Sequence, residues 1–314
     1  MTIRSFGRLA DQQEVQEIKI RRGELSANIL TYGAVLRRLR FEGRDVAVGF
    51  DSIEDYLHHA PELGAIIGPD GPKLQRANEA SGKRSEATSF ARHLWTLDEA
   101  SADSVQLSLN IPSQHVPHTG FLEISCRYTI TPNNTLQIEL EGACEHEVVF
   151  NPRFHGVFNL NPDNELSAHE ISIPACGYTS LSSGRVPFIQ IADVAGTPYD
   201  LRDIHKMRPH RATQLNANYY MRLNRLQVPE LSAVVHEETT GTKMEVWSTE
   251  PGLFYEEGRE VFEGSKGNAL SRRTRQGFSI EPQGWPEGTE KHDFSNVILR
   301  PGEIYKQRTE FRFS

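Results

Sequence analysis

The chain has 314 residues, 37% apolar and 24% charged, with 24 Gly and 17 Pro, a profile that excludes intrinsic disorder and suits a loop-rich globular fold. A formal net charge of −8 leaves no basic excess to neutralise phosphates, so a nucleic-acid-binding body is excluded. Three cysteines, Cys126, Cys144 and Cys176, are too few and too widely spaced for a disulfide framework or a zinc site.

In chain order, the dominant pattern is short β-favouring runs separated by turn residues. An opening series is predicted over 15–20, 25–32, 35–41 and 45–50. Ser52, with Asp55 three residues on, reads as the N-cap of a short helix over 52–60. Residues 70–89 carry a single large apolar side chain, Leu74, and are expected to form a long loop. Strands follow over 94–98, 104–111, 122–131 and 135–143, the last two joined through a Pro132-Asn-Asn-Thr135 turn. Later strands are predicted over 170–173, 219–223, 231–236, 243–248, 252–256, 277–280 and 305–313. Many strands with few helices indicate an all-β, large antiparallel sandwich, read as one domain over 1–314. The basic groups Arg37/Arg38/Arg40, Lys206/Arg208/Arg211 and Arg272/Arg273/Arg275 read as solvated faces. No apolar run reaches the ~18 residues of a membrane span, and the start Met-Thr-Ile-Arg-Ser-Phe-Gly lacks an apolar signal core. A soluble, cytoplasmic protein is expected.

Two segments carry chemistry: Asn151-Pro-Arg-Phe-His155-Gly-Val-Phe-Asn-Leu160 and Gly277-Phe-Ser-Ile-Glu281-Pro-Gln-Gly-Trp-Pro286. Each sets one titratable residue in an apolar run that breaks into Pro or Gly, which places that residue at a sheet rim. One imidazole and one carboxylate are the minimum apparatus for moving protons near neutral pH. Phosphate-binding, dinucleotide, metalloprotease and serine-hydrolase motifs are absent. Judged alone, His155 is also a core histidine, Glu281 a strand-end carboxylate paired with an Arg such as Arg275, and Asp200 an ordinary turn residue.

Together with Leu30-Thr-Tyr-Gly-Ala34, Val48-Gly-Phe-Asp-Ser-Ile-Glu-Asp-Tyr56, Gly64-Ala-Ile-Ile-Gly68, Gly196-Thr-Pro-Tyr-Asp-Leu-Arg202 and Leu299-Arg-Pro-Gly-Glu-Ile-Tyr305, these segments resemble the aldose 1-epimerase (galactose mutarotase) family in order and across nearly the whole chain. The resemblance implies a β-supersandwich, a free sugar as substrate, no cofactor and no metal, in a monomer or homodimer. It implies Glu281 as general base, His155 as the acid that protonates the ring oxygen, and Asp200 and Asn159 as substrate ligands. The chain departs from the family after Gly68: the first active-site His and the substrate-binding Arg have no secure counterparts. Arg84 and Arg76 stand near their places, and the His often seen after Glu-x-Gln is Gly284. An active mutarotase of altered specificity is the first reading. An epimerase of an anionic sugar, held by Arg76, Arg84 or Arg153, is the second. A non-catalytic sugar-binding relative is the third.

Overall fold

A computed structural model describes residues 1–68, 89–111, 121–180, 191–208, 215–263, 273–285 and 297–314. The first sheet runs in chain order through β1 (Thr2–Arg8), β2 (Glu14–Arg22), β3 (Leu25–Leu30), β4 (Leu36–Phe41) and β5 (Arg44–Asp45). Helix α1 (Ile53–His58) and the short β6 (Ile66–Ile67) follow. Next come β7 (Thr96–Ala100), β8 (Ser104–Ile111), β9 (Leu122–Thr131), β10 (Thr135–Cys144), β11 (Val148–Val149), β12 (Arg153–Phe154) and β13 (Val157–Phe158). The chain continues with β14 (His169–Ser172), β15 (Gly177–Ser180), β16 (Ala192–Asp193), β17 (His205–Lys206), β18 (Asn216–Tyr220), β19 (Glu230–Glu237) and β20 (Lys243–Ser248). It closes with β21 (Gly252–Glu263), β22 (Arg273–Gln283), β23 (Ile298–Leu299) and β24 (Tyr305–Phe313).

The two larger sheets are antiparallel, with orders β17-β14-β19-β20-β24-β10-β9-β8-β7 and β13-β22-β21-β18-β15-β16. This is the expected antiparallel β-supersandwich. Its helical content among the described residues is α1 and two 3-10 turns, Phe90–Arg92 and Leu166–Ala168. Alternation drives the long strands: β9 and β24 bury every second residue, which puts one face of the pleat on the core. Asn133 and Asn134 take φ of 66° and 51° in the turn between β9 and β10, a region that short amide side chains tolerate.

One apolar cluster gathers side chains from all three large sheets. Phe41 meets Phe313 at 5.6 Å, tying the first sheet to the second, and Phe158 meets Phe311 at 5.0 Å, tying the third to the second. Each such fully buried apolar side chain contributes about 1.5–3 kcal/mol. The Ser52 hydroxyl accepts the Asp55 N–H at 3.2 Å, the cap expected for α1.

The structure differs from the sequence reading in several places. β1 went unpredicted because its side chains are largely exposed, so no apolar alternation marks it. Residues 46–50 do not extend β5. The Val46 N–H bonds Leu39, the Val48 N–H bonds Val157, and Val46 O accepts from Asn159, so this backbone bridges two sheets. Arg37 is not on a solvated face: it is 4% exposed and paired with Glu17 and, at 2.8 Å, with Asp51.

Candidate active site

The segment 151–158 runs antiparallel to the end of β22, and its alternate residues face that strand. The Asn151 side chain bonds the Gly284 backbone, Arg153 and His155 both reach Glu281, and Val157 pairs with Ser279. The intervening Phe154 and Phe158 turn into the core, where Phe154 lies 5.8 Å from Phe311. A period of two with polar residues on one side and aromatics on the other is what a strand between a site and a core requires. The backbone is fixed from its other edge: Arg153 and Phe154 pair with Ile67 and Ile66, and His155 exchanges hydrogen bonds with Ala65 and Gly64 at 2.9 and 2.8 Å.

The structure thus brings His155 and Glu281 together. His155 Nδ1 stands 2.5 Å from Glu281 Oε1, and Arg153 Nε donates to Glu281 Oε2 at 2.9 Å. Glu281 is 0% exposed and His155 5%. The His155–Glu281 approach lacks the alignment of a hydrogen bond. His155 Nδ1 and Nε2 and Glu281 Oε1 are buried without an aligned protein partner, as is the Ser279 hydroxyl. Buried polar atoms in this state call for a functional explanation. Burial pushes the Glu281 carboxyl up, but the His155 and Arg153 charges outweigh it and hold the group below its ordinary value.

Register carries the polar face across the sheet. Glu281 lies beside Phe254 on β21, which lies beside Asn218 on β18, which lies beside Thr179 on β15. Gln283 Nε2 donates to Asn218 Oδ1 at 2.7 Å. The alternate residues Phe278, Ile280, Leu253, Tyr255, Ala217 and Tyr219 belong to the core.

Asp200 and Asn159 are engaged within the protein. Both Asp200 carboxylate oxygens are taken by Arg202, at 2.8 and 2.7 Å, and that hydrogen bonding holds the Asp200 carboxyl below its usual range. Asn159 donates to Gln276 O at 2.7 Å and accepts the Asn161 N–H at 2.9 Å, so its amide braces the backbone that follows His155. Arg76 and Arg84 lie outside the described residues. Sequence reasoning missed the Asn151 and Arg153 contacts, although the Asn-x-Arg-x-His period of two was a usable signal.

Among the described residues, no group of three or more His, Cys, Asp or Glu side chains is placed to hold a metal, and no helix is long and apolar enough to cross a membrane. A groove of about 530 Å³ is lined by residues including Glu139, Glu141, Arg225, Ile304 and Lys306, not by His155 or Glu281.

The aldose 1-epimerase family profile matches residues 16–312. The chain is 27% identical over 324 residues to galactose mutarotase of Homo sapiens, covering 96% of this chain and 94% of that protein. It is 26% identical over 330 residues to galactose mutarotase of Rattus norvegicus, with the same coverage. In fold it is similar to a GalM/aldose epimerase homologue from C. elegans, with a TM-score of 0.79 at 20% identity over 95% of this chain and 98% of that one. The chain belongs to the aldose 1-epimerase family and is an isomerase of that family.

Proposed function

We propose that this protein interconverts the α and β anomers of a free aldose, with Glu281 as general base and His155 as general acid. The observation that carries the reading is the buried contact of His155 Nδ1 with Glu281 Oε1 at 2.5 Å. In a cyclic aldose, the hydroxyl oxygen that loses a proton and the ring oxygen that gains one are bonded to the same carbon. The acid and base must therefore sit side by side, as these two do. Buried titratable groups in contact are costly to keep, and a protein that only binds sugar has no need of them.

In the forward direction, Glu281 takes the proton of the anomeric hydroxyl and the O–H electron pair becomes the second bond of the carbonyl. The bond from the anomeric carbon to the ring oxygen breaks, and His155 gives its proton to that oxygen. His155 Nε2, which has no aligned protein partner, is the atom assigned to this transfer. The open-chain aldehyde rotates about its bond to the next carbon. On closure, His155 recovers its proton from the sugar hydroxyl and Glu281 returns its own to the carbonyl oxygen. No proton is gained or lost overall, so no cofactor is needed. Each positioned proton transfer contributes about 10²–10⁴-fold.

Three free cysteines support a cytoplasmic setting, since thiols persist where the compartment is reducing. The order of sugars to test follows the relatives, which are galactose mutarotases, so galactose heads the panel. Arg153, which an anionic-sugar reading would use, gives its Nε to Glu281 at 2.9 Å. Saturation-transfer NMR and polarimetry on a panel of neutral aldoses, sugar phosphates and sugar acids test the proposal. Acceleration of at least one neutral aldose is expected; binding without acceleration of any sugar would replace it with a sugar-binding module.

A further inference from the structure

We propose that Arg153 is a positioning residue for the acid–base pair: its guanidinium pins Glu281 through Oε2, so that Oε1 is presented to His155 and the substrate. The inference rests on the acid–base reading above and adds to it a residue that the chemistry does not itself consume. A carboxylate held at one oxygen cannot spin about its terminal bond, and that fixes which oxygen meets the sugar. Arg153 Nε makes this hold at 2.9 Å, with the Arg153 side chain 20% accessible and Glu281 at 0%. The hold starts from fixed backbone, since Arg153 pairs with Ile67 and lies one strand period before His155. Both side chains that reach Glu281 therefore come from one rigid stretch, and their spacing follows from the pleat.

The charged groups facing Glu281 among the described residues are these two. Across the strand, β21 presents Phe254 and, one period along, Glu256, which is paired with Arg259 at 3.1 Å. β18 presents the uncharged Asn218. Arg153 is thus a fixed positive charge on the buried carboxylate, one that adds to the larger effect of His155 in holding Glu281 below its ordinary value. A lysine would supply the charge but not the planar fork that sets orientation.

Kinetics and NMR on the full-length protein test this. Two measurements decide it: the pH profile of kcat on the best sugar of the panel, and the 13C titration of the Glu281 carboxyl. In Arg153→Met, kcat is expected to fall about 10-fold or more, as for small misplacements of a reacting group. KM should stay nearly unchanged, and the acidic limb and the Glu281 titration should both move to higher pH. Arg153→Lys is expected to restore the limb while recovering kcat only in part. A folded Arg153→Met with an unmoved acidic limb would overturn the proposal, as would a rise in KM for an anionic sugar with kcat intact. If Arg153→Met does not fold, the wild-type titration decides: Glu281 ionising at or above the ordinary carboxylate value sinks the idea. If the wild type accelerates no sugar, the acid–base reading fails instead, while the NMR titration still reports whether Arg153 governs Glu281.

Discussion

Asn151 and Gly284 are joined by two hydrogen bonds. The Asn151 side-chain amide donates to the Gly284 carbonyl at 3.1 Å, and the Gly284 N–H donates to Asn151 Oδ1 at 2.7 Å. This clip holds the segment that carries His155 against the strand that carries Glu281. It also accounts for glycine at a position where the family often has His. A Cβ on residue 284 would stand 2.8 Å from Asn151 Oδ1 and 2.7 Å from Val297 Cγ1.

Gly284→Ala should therefore spread the two segments. The expected cost is about 1–3 kcal/mol in denaturant unfolding, the scale of overpacking in a tight interior. Asn151→Ala should cost a similar amount, because it leaves a buried N–H and C=O unpaired. Both should lower kcat. The double variant should cost less than the sum, since each change breaks the same clip. Strictly additive costs would show that the clip is not a unit.

Glu281→Gln keeps the shape of the side chain and removes the base. Anomer interconversion should drop by about 10²-fold or more, the usual scale for a positioned proton-transfer group, while the thermal melt still shows a folded protein. His155→Ala should cost a comparable factor. Because the two groups act as a unit, the double variant should be barely slower than the worse single one. Wild-type rates in Glu281→Gln would remove Glu281 as the base.

Acid stability reports on the same carboxylate. Glu281 ionises below its ordinary value of 4.5 in the folded protein, since the His155 and Arg153 charges outweigh the opposing effect of burial. The unfolded chain then binds the proton more readily, so the stabilisation is present above 4.5 and is lost as pH falls through the folded value. The stability gap between wild type and Glu281→Gln should therefore shrink as pH is lowered below 4.5. A gap that widens on acidification would mean that burial wins and the carboxyl is raised.

What the sequence disclosed follows from what shapes local pattern. β9, β10 and β24 were legible because one face of each is buried, and that writes alternation into the residues. The two-residue strands β6, β12 and β13 were not, because they exist through pairing with distant segments. His155 and Glu281 stood out as titratable residues in apolar runs, but their partner did not. Arg275 is near Glu281 in sequence, whereas Arg153 reaches it through the fold. Arg37 misled for a similar reason: its partner Glu17 lies on β2, and nothing local marks the pair as buried.

His169 offers a separate pH test, one that reads the scaffold and not the reaction. It is 0% exposed, accepts the Leu160 N–H at Nε2 (2.9 Å), and meets Leu166 O from Nδ1 at 3.1 Å. Those two contacts fix a neutral tautomer with the proton on Nδ1. Burial lowers its ionisation below the ordinary 6.5, despite opposing contributions from Leu166 O and Glu237. The unfolded chain binds that proton first, so stability is fully present above 6.5 and declines as pH falls toward the folded value. Protonating Nε2 would also leave the Leu160 N–H, five residues beyond His155, facing another donor. His169→Leu should lose about 1–3 kcal/mol at pH 8 from the unpaired N–H, and it should lose less of its remaining stability than wild type between pH 6.5 and 5. Unfolding curves for the two proteins across that range check this, and parallel slopes would mean that His169 is not held neutral.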